Sequence, residues 1–159
     1  MRTLLLFLIV PIFIANSSAQ QFINWQNYTA LKNVRDVAIS DNGFWSAANG
    51  GAFRYNSSEN DFITLHKSDG LNGISLTSVT IDKIDRAWFG SSDGIIDIYA
   101  GSNQFDVILD INTSSQINKR INDLDASGDT IIVSSDFGVS LIDANTFLFF
   151  DTFFKFGDF

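Results

Sequence analysis

An internal repeat with a period of about 44 residues restricts the folds open to this chain more than any other property of its sequence. Trp45, Trp88 and Ile132 occupy equivalent positions, and each is followed six residues later by a glycine. Short apolar stretches and polar turns alternate within each unit. A repeat of this length with several short strands is typical of one blade of a β-propeller.

The first unit shows how strands and turns alternate. Apolar and polar side chains alternate along residues 34–40, as expected for a strand with one buried side. Asn and Gly at 41–43 and 49–51 predict tight hairpins, because both residues tolerate positive φ. The predicted strands are Val34–Ser40, Phe44–Asn49, Ala52–Asn56 and Asp61–His66. Since we find no helical period, the sequence predicts an all-β fold of four-stranded antiparallel blades.

The first 19 residues have the pattern of a secretory signal peptide. Arg2 supplies a positive charge, Leu4–Ile14 form an apolar run, and small residues precede Gln20. The apolar run is shorter than the roughly 20 residues that a membrane-spanning helix needs. We therefore exclude residues 1–19 from the fold, and expect no transmembrane segment in the mature chain.

Residues 20–159 contain about three blades, at 34–66, 76–110 and 120–155. A strand predicted at 22–30 precedes them, in the place where an outer strand closes the ring of many propellers. Closed rings have about four to eight blades, so we expect an incomplete ring from the N-terminal part of a longer protein. Seven of the 16 phenylalanines lie within 147–159, and a soluble monomer would not leave such a surface exposed.

The composition excludes several classes of chemistry. The chain has no cysteine, which excludes disulfides, thiolate metal sites and cysteine nucleophiles. His66 is its only histidine, and its 18 acidic residues outnumber ten basic ones, so nucleic acid is not an expected partner. An exported chain without cysteine also fits a bacterial envelope better than an animal extracellular space.

One stretch imitates part of a calcium-binding loop. Asp123, Asp125 and Asp129 place carboxylates at alternate positions around Gly128. The twelfth position is Ser134, where such a loop needs a bidentate glutamate. We predict a structural turn and no metal or cofactor site, with calcium as the alternative.

The remaining candidates give no catalytic constellation. We expect His66 to be a surface residue, because the sequence identifies neither a partner nor a cleft for it. Trp45 and Trp88 share a strand position, so we expect them to pack between blades. Trp25 lies outside the repeat register and is the candidate for stacking on a ligand. We therefore predict a non-enzymatic protein with no catalytic residue.

The repeats resemble those of two-component-regulator propellers, in the stretches Trp45–Tyr55 and Trp88–Ile98. They are more similar to the N-terminal propeller of PorZ-type proteins, which are associated with type IX secretion. That resemblance rests on Trp25 and Tyr28, on 69–75 and 94–98, and on the stretches 121–124 and 135–139. It covers nearly all of residues 22–159.

The resemblance implies a location in the periplasm or on the outer surface of a Gram-negative bacterium. It also implies a scaffold or binding role in type IX secretion and surface attachment, with proteins or surface polysaccharide at the outer membrane as partners. An alternative is the extracytoplasmic sensing domain of a hybrid histidine kinase receptor. A propeller enzyme acting on glycans is a third reading.

Overall fold

The computed structural model describes residues 31–154, and these form three antiparallel sheets of four strands each. Sheet 1 contains β1–β4, sheet 2 contains β5–β8 and sheet 3 contains β9–β12. The strands are β1 (Val34–Ser40), β2 (Gly43–Ala48), β3 (Gly51–Asn56), β4 (Asp61–Leu65), β5 (Leu76–Ile81), β6 (Ala87–Ser91), β7 (Ile96–Tyr99), β8 (Phe105–Ile108), β9 (Ile121–Ser127), β10 (Thr130–Ser135), β11 (Gly138–Asp143) and β12 (Phe149–Phe153).

Each sheet is a simple meander in which every strand pairs with the next one in sequence. The four strands predicted for the first unit agree with β1–β4 to within one residue at each end. Glycine is required where β3 begins, because Gly51 has a φ of +147° and an added Cβ would lie 2.2 Å from the carbonyl oxygen of Leu65. The repeat glycine of sheet 1 thus lies in a turn too close to β4 for any side chain.

The three sheets stack face to face in chain order. We call the side of a sheet that looks toward the next sheet its forward face, and the opposite side its rear face. One core lies between the forward face of sheet 1 and the rear face of sheet 2; it contains Trp45, Ala47, Ala52, Leu65, Leu71, Leu76, Val79, Ala87, Phe89 and Tyr99. Within residues 31–154 the sheets do not close a ring.

A second core lies between sheets 2 and 3. It contains Trp88, Ile96, Ile98, Ile108, Ile111, Ile121, Leu124, Ile131, Val133, Ile142 and Ala144. Each fully buried large apolar side chain contributes about 1.5–3 kcal/mol to stability. These two cores therefore hold the stack together.

Hydrogen bonds also join the innermost strands of neighbouring sheets. The backbone N–H of Val79 in β5 donates to Oδ2 of Asp36 in β1 at 2.8 Å. The hydroxyl of Thr77, also in β5, donates to the carbonyl oxygen of Ile121 in β9 at 2.5 Å. The first strands of the three units thus connect sheet 1 to sheet 2 and sheet 2 to sheet 3.

Short turns link the sheets. A single 3-10 turn, Lys67–Asp69, follows β4, and a one-turn helix, α1 (Asp110–Thr113), follows β8. The prediction contained neither, because a single turn is too short to show a helical period. In the described part of the chain, no helix is long and apolar enough to cross a lipid bilayer.

The prediction that His66 lies on the surface is wrong. His66 is only 7% exposed, at the point where the chain leaves β4 for sheet 2. Its Nδ1 lies 3.3 Å from the carbonyl oxygen of Gly50, and its backbone N–H donates to Oδ2 of Asp69 at 2.8 Å. The ring is buried because the Gly50–Gly51 turn has no side chain to fill that space.

Three predicted features lie outside the described residues: the signal peptide at 1–19, the strand at 22–30 and the last residue of the third blade. They remain predictions.

Candidate functional site

A cavity of about 290 Å³ opens in the groove between sheets 2 and 3. It lies at the outer end of this groove, beside β11 and β12 and under the connection from β8 to β9. It is lined by Asp110, Ile111, Ser114, Ser115, Gln116, Phe137, Ser140, Phe149, Thr152 and Phe154.

The connection from β8 to β9 forms one wall of the cavity, and hydrogen bonds within the connection hold this wall in place. The N–H of Thr113 donates to the carbonyl oxygen of Leu109 at 2.8 Å, which closes the turn of α1. The hydroxyl of Ser114 then donates to the carbonyl oxygen of Ile111 at 2.7 Å. Ile111 is buried in the core between sheets 2 and 3, so the apolar side of α1 anchors this wall.

The opposite wall is aromatic. The rings of Phe137 and Phe154 stack with their centroids 5.9 Å apart and their planes inclined by 29°. Phe149 packs against the core below, and the hydroxyl of Thr152 donates to Oγ of Ser140 at 3.2 Å. An apolar side chain or ring would fit between these walls, with polar groups of the connection at its edge.

A second, polar cavity of about 300 Å³ lies where the first hairpins of sheets 1 and 2 meet. It is lined by Ile39, Ser40, Asp41, Ile81, Asp82, Lys83 and Asp85. Its one fully buried carboxylate, Asp82, is engaged in structural contacts. The N–H groups of Ile84 and Arg86 donate to its Oδ1, each at 3.0 Å.

The other oxygen of Asp82 binds two side chains. Oδ2 accepts hydrogen bonds from Nε of Arg86 at 2.6 Å and from Nε1 of Trp88 at 2.9 Å. Burial by itself would raise the pKa of Asp82, but the hydrogen bonds from Trp88, Arg86 and Ile84 outweigh it and hold the pKa below its usual range. The carboxylate is therefore a structural anion.

Arg86 carries this network across to sheet 3. Its Nη2 donates to the carbonyl oxygen of Ala144 at 2.5 Å. Its guanidinium also lies over two aromatic rings, 5.7 Å from that of Trp88 and 5.1 Å from that of Phe147.

Asp97 in β7 is the second buried carboxylate. It accepts hydrogen bonds from the backbone N–H of Gly73 at 2.7 Å, and from the backbone N–H and Nδ2 of Asn72 at 3.0 and 2.9 Å. Burial raises the pKa of Asp97 in spite of these bonds, with a smaller contribution from Asp93. Asp97 fixes the loop that enters sheet 2.

The structure does not bring Asp123, Asp125 and Asp129, the ligands of the alternative calcium site, together around one point. Oδ1 of Asp123 accepts the N–H of Leu124 at 3.0 Å, and Asp125 lies on the same strand, β9. Asp129 forms an ion pair with Lys83, and this contact holds the pKa of its carboxyl below the usual range. Among residues 31–154, no group of three or more His, Asp or Glu side chains is arranged to hold a metal ion.

The expected positions of the two repeat tryptophans are confirmed. Trp45 of sheet 1 meets Phe89 and Tyr99 of sheet 2, with ring centroids 5.6 and 5.3 Å apart. Trp88 of sheet 2 meets Phe147 of sheet 3 at 5.5 Å. Trp25, the predicted ligand-stacking residue, lies outside the described residues.

Sequence reasoning missed the apolar cavity. Half of its lining comes from residues 110–116, which have no repeat counterpart and no periodic pattern. The concentration of phenylalanine near the C-terminus was the available signal, because Phe149 and Phe154 contribute to the wall.

Three successive four-stranded meanders, stacked face to face and joined through their first strands, define part of a β-propeller. Residues 44–158 match the family described as "TSS9, PorZ, N-terminal beta-propeller domain", and the chain belongs to that family. Among curated proteins, none matches the sequence.

Solved structures support the same fold. PorZ of Porphyromonas gingivalis, described as an essential surface component of the type IX secretion system, is 17% identical with a TM-score of 0.71. The extracellular domain of BT4673, a hybrid two-component system of B. thetaiotaomicron, is 21% identical with a TM-score of 0.64. The matches cover 78% and 74% of this chain, but only 17% and 16% of those two chains.

The computationally designed protein Ika4 is also similar. It is 17% identical with a TM-score of 0.58, and the match covers 82% of this chain and 80% of Ika4. At these levels of identity, the likeness of all three structures concerns the fold alone.

Proposed function

We propose that this chain is a secreted, non-enzymatic β-propeller module that acts as a scaffold or binding domain in type IX secretion. Residues 1–19 direct its export, and the module works in the periplasm or at the outer surface of a Gram-negative bacterium. Membership of the PorZ N-terminal propeller family, over residues 44–158, is the observation that carries this proposal.

The contacts of the buried acidic residues support a role without catalysis. Among residues 31–154, the two most buried carboxylates are those of Asp82 and Asp97, and each accepts several hydrogen bonds from its own chain. A catalytic carboxylate needs a face that is open to substrate. These two groups instead hold sheets and loops in place.

The apolar cavity between sheets 2 and 3 is the binding site in this proposal. It combines an aromatic wall with a polar edge, which is how protein interfaces receive an apolar anchor residue. We therefore assign a protein partner to it, with surface polysaccharide as the other candidate.

Site-directed photocrosslinking in the intact envelope tests this assignment. A photoreactive side chain at Ser115, on the cavity wall, should give an adduct with a second protein, and the same group at Ile84 should not. Phe154→Asp should abolish the adduct because Phe154 lines the cavity, whereas Phe150→Asp should leave it unchanged. Both phenylalanines are more than half exposed, so neither change should unfold the chain. Equal adducts from both positions, or none, would reject the cavity as the site.

The alternative is a sensing domain, and the likeness to the extracellular domain of BT4673 favours it. A sensing domain should bind a small ligand rather than a protein. A panel of free sugars, amino acids and nucleotides would then include a compound that raises the melting temperature. That rise should disappear in Phe154→Asp, and the crosslinked protein adduct should be absent. An adduct with polysaccharide would identify the glycan partner instead.

A further inference from the structure

Among the described residues, only one charged side chain lines the apolar cavity between sheets 2 and 3. This is Asp110, the first residue of α1, and the other lining side chains are apolar or uncharged. Asp110 is exposed, and its carboxylate forms no ion pair with any residue of 31–154. A ligand that enters this cavity therefore meets an uncompensated negative charge beside the aromatic wall.

The aromatic wall favours the same kind of ligand as this charge does. Phe137 and Phe149 are held by packing against the core between sheets 2 and 3, and Phe154 stacks on Phe137. The face of an aromatic ring carries partial negative charge, so it attracts cations as well as apolar groups. The best ligand for the wall and the carboxylate together is a cationic group on an apolar stem.

This chain already uses the same combination of groups to hold one of its own arginines. The guanidinium of Arg86 lies 5.7 Å from the ring of Trp88 and 5.1 Å from that of Phe147, and its Nε donates to Asp82 at 2.6 Å. There, two rings and one carboxylate bind an arginine between sheets 2 and 3. The cavity between the same two sheets offers rings and a carboxylate, but none of the described residues that line it is cationic.

Arginine fits these groups better than the other side chains do. Its planar guanidinium stacks on ring faces and binds a carboxylate through two N–H groups, whereas the ammonium of lysine is compact and strongly hydrated. Its methylene groups cover apolar surface. An aliphatic anchor would instead cover Asp110 without giving the carboxylate a partner, which costs free energy.

We propose that the side chain which fills this cavity is an arginine of the partner protein. Its guanidinium binds Asp110, and its stem packs against Phe137 and Phe154. This inference rests on the proposed function, because it names the anchor residue for the binding site assigned there. The rings accept many apolar side chains, so Asp110 is the residue that selects the partner.

Photocrosslinking from Ser115 in the intact envelope tests this proposal when it is combined with changes at Asp110. Asp110→Asn keeps the size of the side chain but removes its charge, and it should reduce the adduct by about tenfold or more. Asp110→Glu should restore most of the adduct. Asp61→Asn removes the same charge from an exposed position in β4 of sheet 1, so this matched control should leave the adduct unchanged.

Two small competitors test the chemistry of the anchor directly. N-acetyl-arginine amide should suppress the adduct, whereas N-acetyl-citrulline amide, which has the same shape without the charge, should not. Mass spectrometry of the crosslinked peptide should find an arginine in the attached segment of the partner. Equal suppression by both competitors, or an attached segment without arginine, would overturn the proposal.

The outcomes also separate this inference from the function on which it rests. An adduct that forms from Ser115 but not from Ile84, and that Asp110→Asn leaves unchanged, would overturn the arginine and retain the cavity as a protein-binding site. The absence of any adduct from the wild-type chain would overturn both. Circular dichroism identical to that of the wild type shows that each variant is folded.

Discussion

At the scale of single residues, Asp82 shows how one buried carboxylate organises two sheets. It accepts four hydrogen bonds, two from the backbone of its own hairpin and two from Arg86 and Trp88. Through Arg86 it also fixes the carbonyl group of Ala144 in sheet 3. A buried anion with this many partners is costly to replace, because each donor would lose its acceptor.

We expect Asp82→Asn to lower the free energy of unfolding by about 3 kcal/mol at neutral pH. The exposed Asp106 provides a matched control, and Asp106→Asn should change the free energy of unfolding by less than about 0.5 kcal/mol. Because the pKa of Asp82 is lowered on folding, its contribution is present above the unfolded value of about 4 and is lost as the pH falls through the lowered pKa. The difference between wild type and Asp82→Asn, measured by urea unfolding, should therefore shrink below about pH 4.

Asp97 should behave in the opposite way, since burial raises its pKa on folding. As the pH falls through the raised pKa, the folded protein takes up a proton before the unfolded chain does, and stability increases. Relative to Asp97→Asn, the wild-type chain should gain stability on acidification down to about pH 4. On acidification, the difference in the free energy of unfolding between wild type and Asp82→Asn should shrink. The wild type should become more stable relative to Asp97→Asn. Together, the two results would confirm that folding lowers the pKa of Asp82 and raises the pKa of Asp97.

At the scale of strands and turns, glycine is the first residue of the third strand in sheets 1 and 3. Gly138 has a φ of +152°, and a Cβ there would lie 2.1 Å from the carbonyl oxygen of Phe153 in β12. Gly128 also has a positive φ, but open space surrounds its Cβ position. The two glycines therefore separate the effect of backbone strain from that of a close approach.

Gly128→Ala should lower the free energy of unfolding by about 1 kcal/mol, which is the strain of a left-handed backbone conformation in a residue with a side chain. Gly138→Ala adds a clash with the backbone of β12 and should cost about 2–4 kcal/mol. Thermal unfolding of the two variants measures the difference. Equal losses would contradict the close approach of β11 and β12.

The elements that could be predicted from sequence are those that local chemistry specifies. Alternation along Val34–Ser40 and the turn glycines located the strands, and the repeat register placed Trp45 and Trp88 between sheets. The burial of His66 could not be predicted, because it depends on the distant Gly50–Gly51 turn. The apolar cavity could not be predicted for a similar reason. The sequence of α1 and of the connection after it does not repeat, and their conformation depends on packing against sheet 3.

At the scale of the whole molecule, each sheet is stable only because a neighbour covers its faces, as in other repeat proteins. Sheet 2 is covered on both sides by the two cores. Sheets 1 and 3 each have one covered face within the described chain. We therefore expect a gradient of local stability, highest in sheet 2 and lowest in the outer strands β4 and β12.

Residue-resolved amide hydrogen exchange tests whether the repeat units stack as consecutive sheets joined through their first strands. The amide of Val79 is the most direct probe, because its N–H donates to Asp36 of another sheet. Exchange should be slow at Val79 and fast at Phe62 in β4. Asp36→Ala should accelerate exchange at Val79 at least tenfold while β10 and β11 stay protected. Fast exchange at Val79 in the wild-type chain, or no response to Asp36→Ala, would contradict the stacking of sheets 1 and 2.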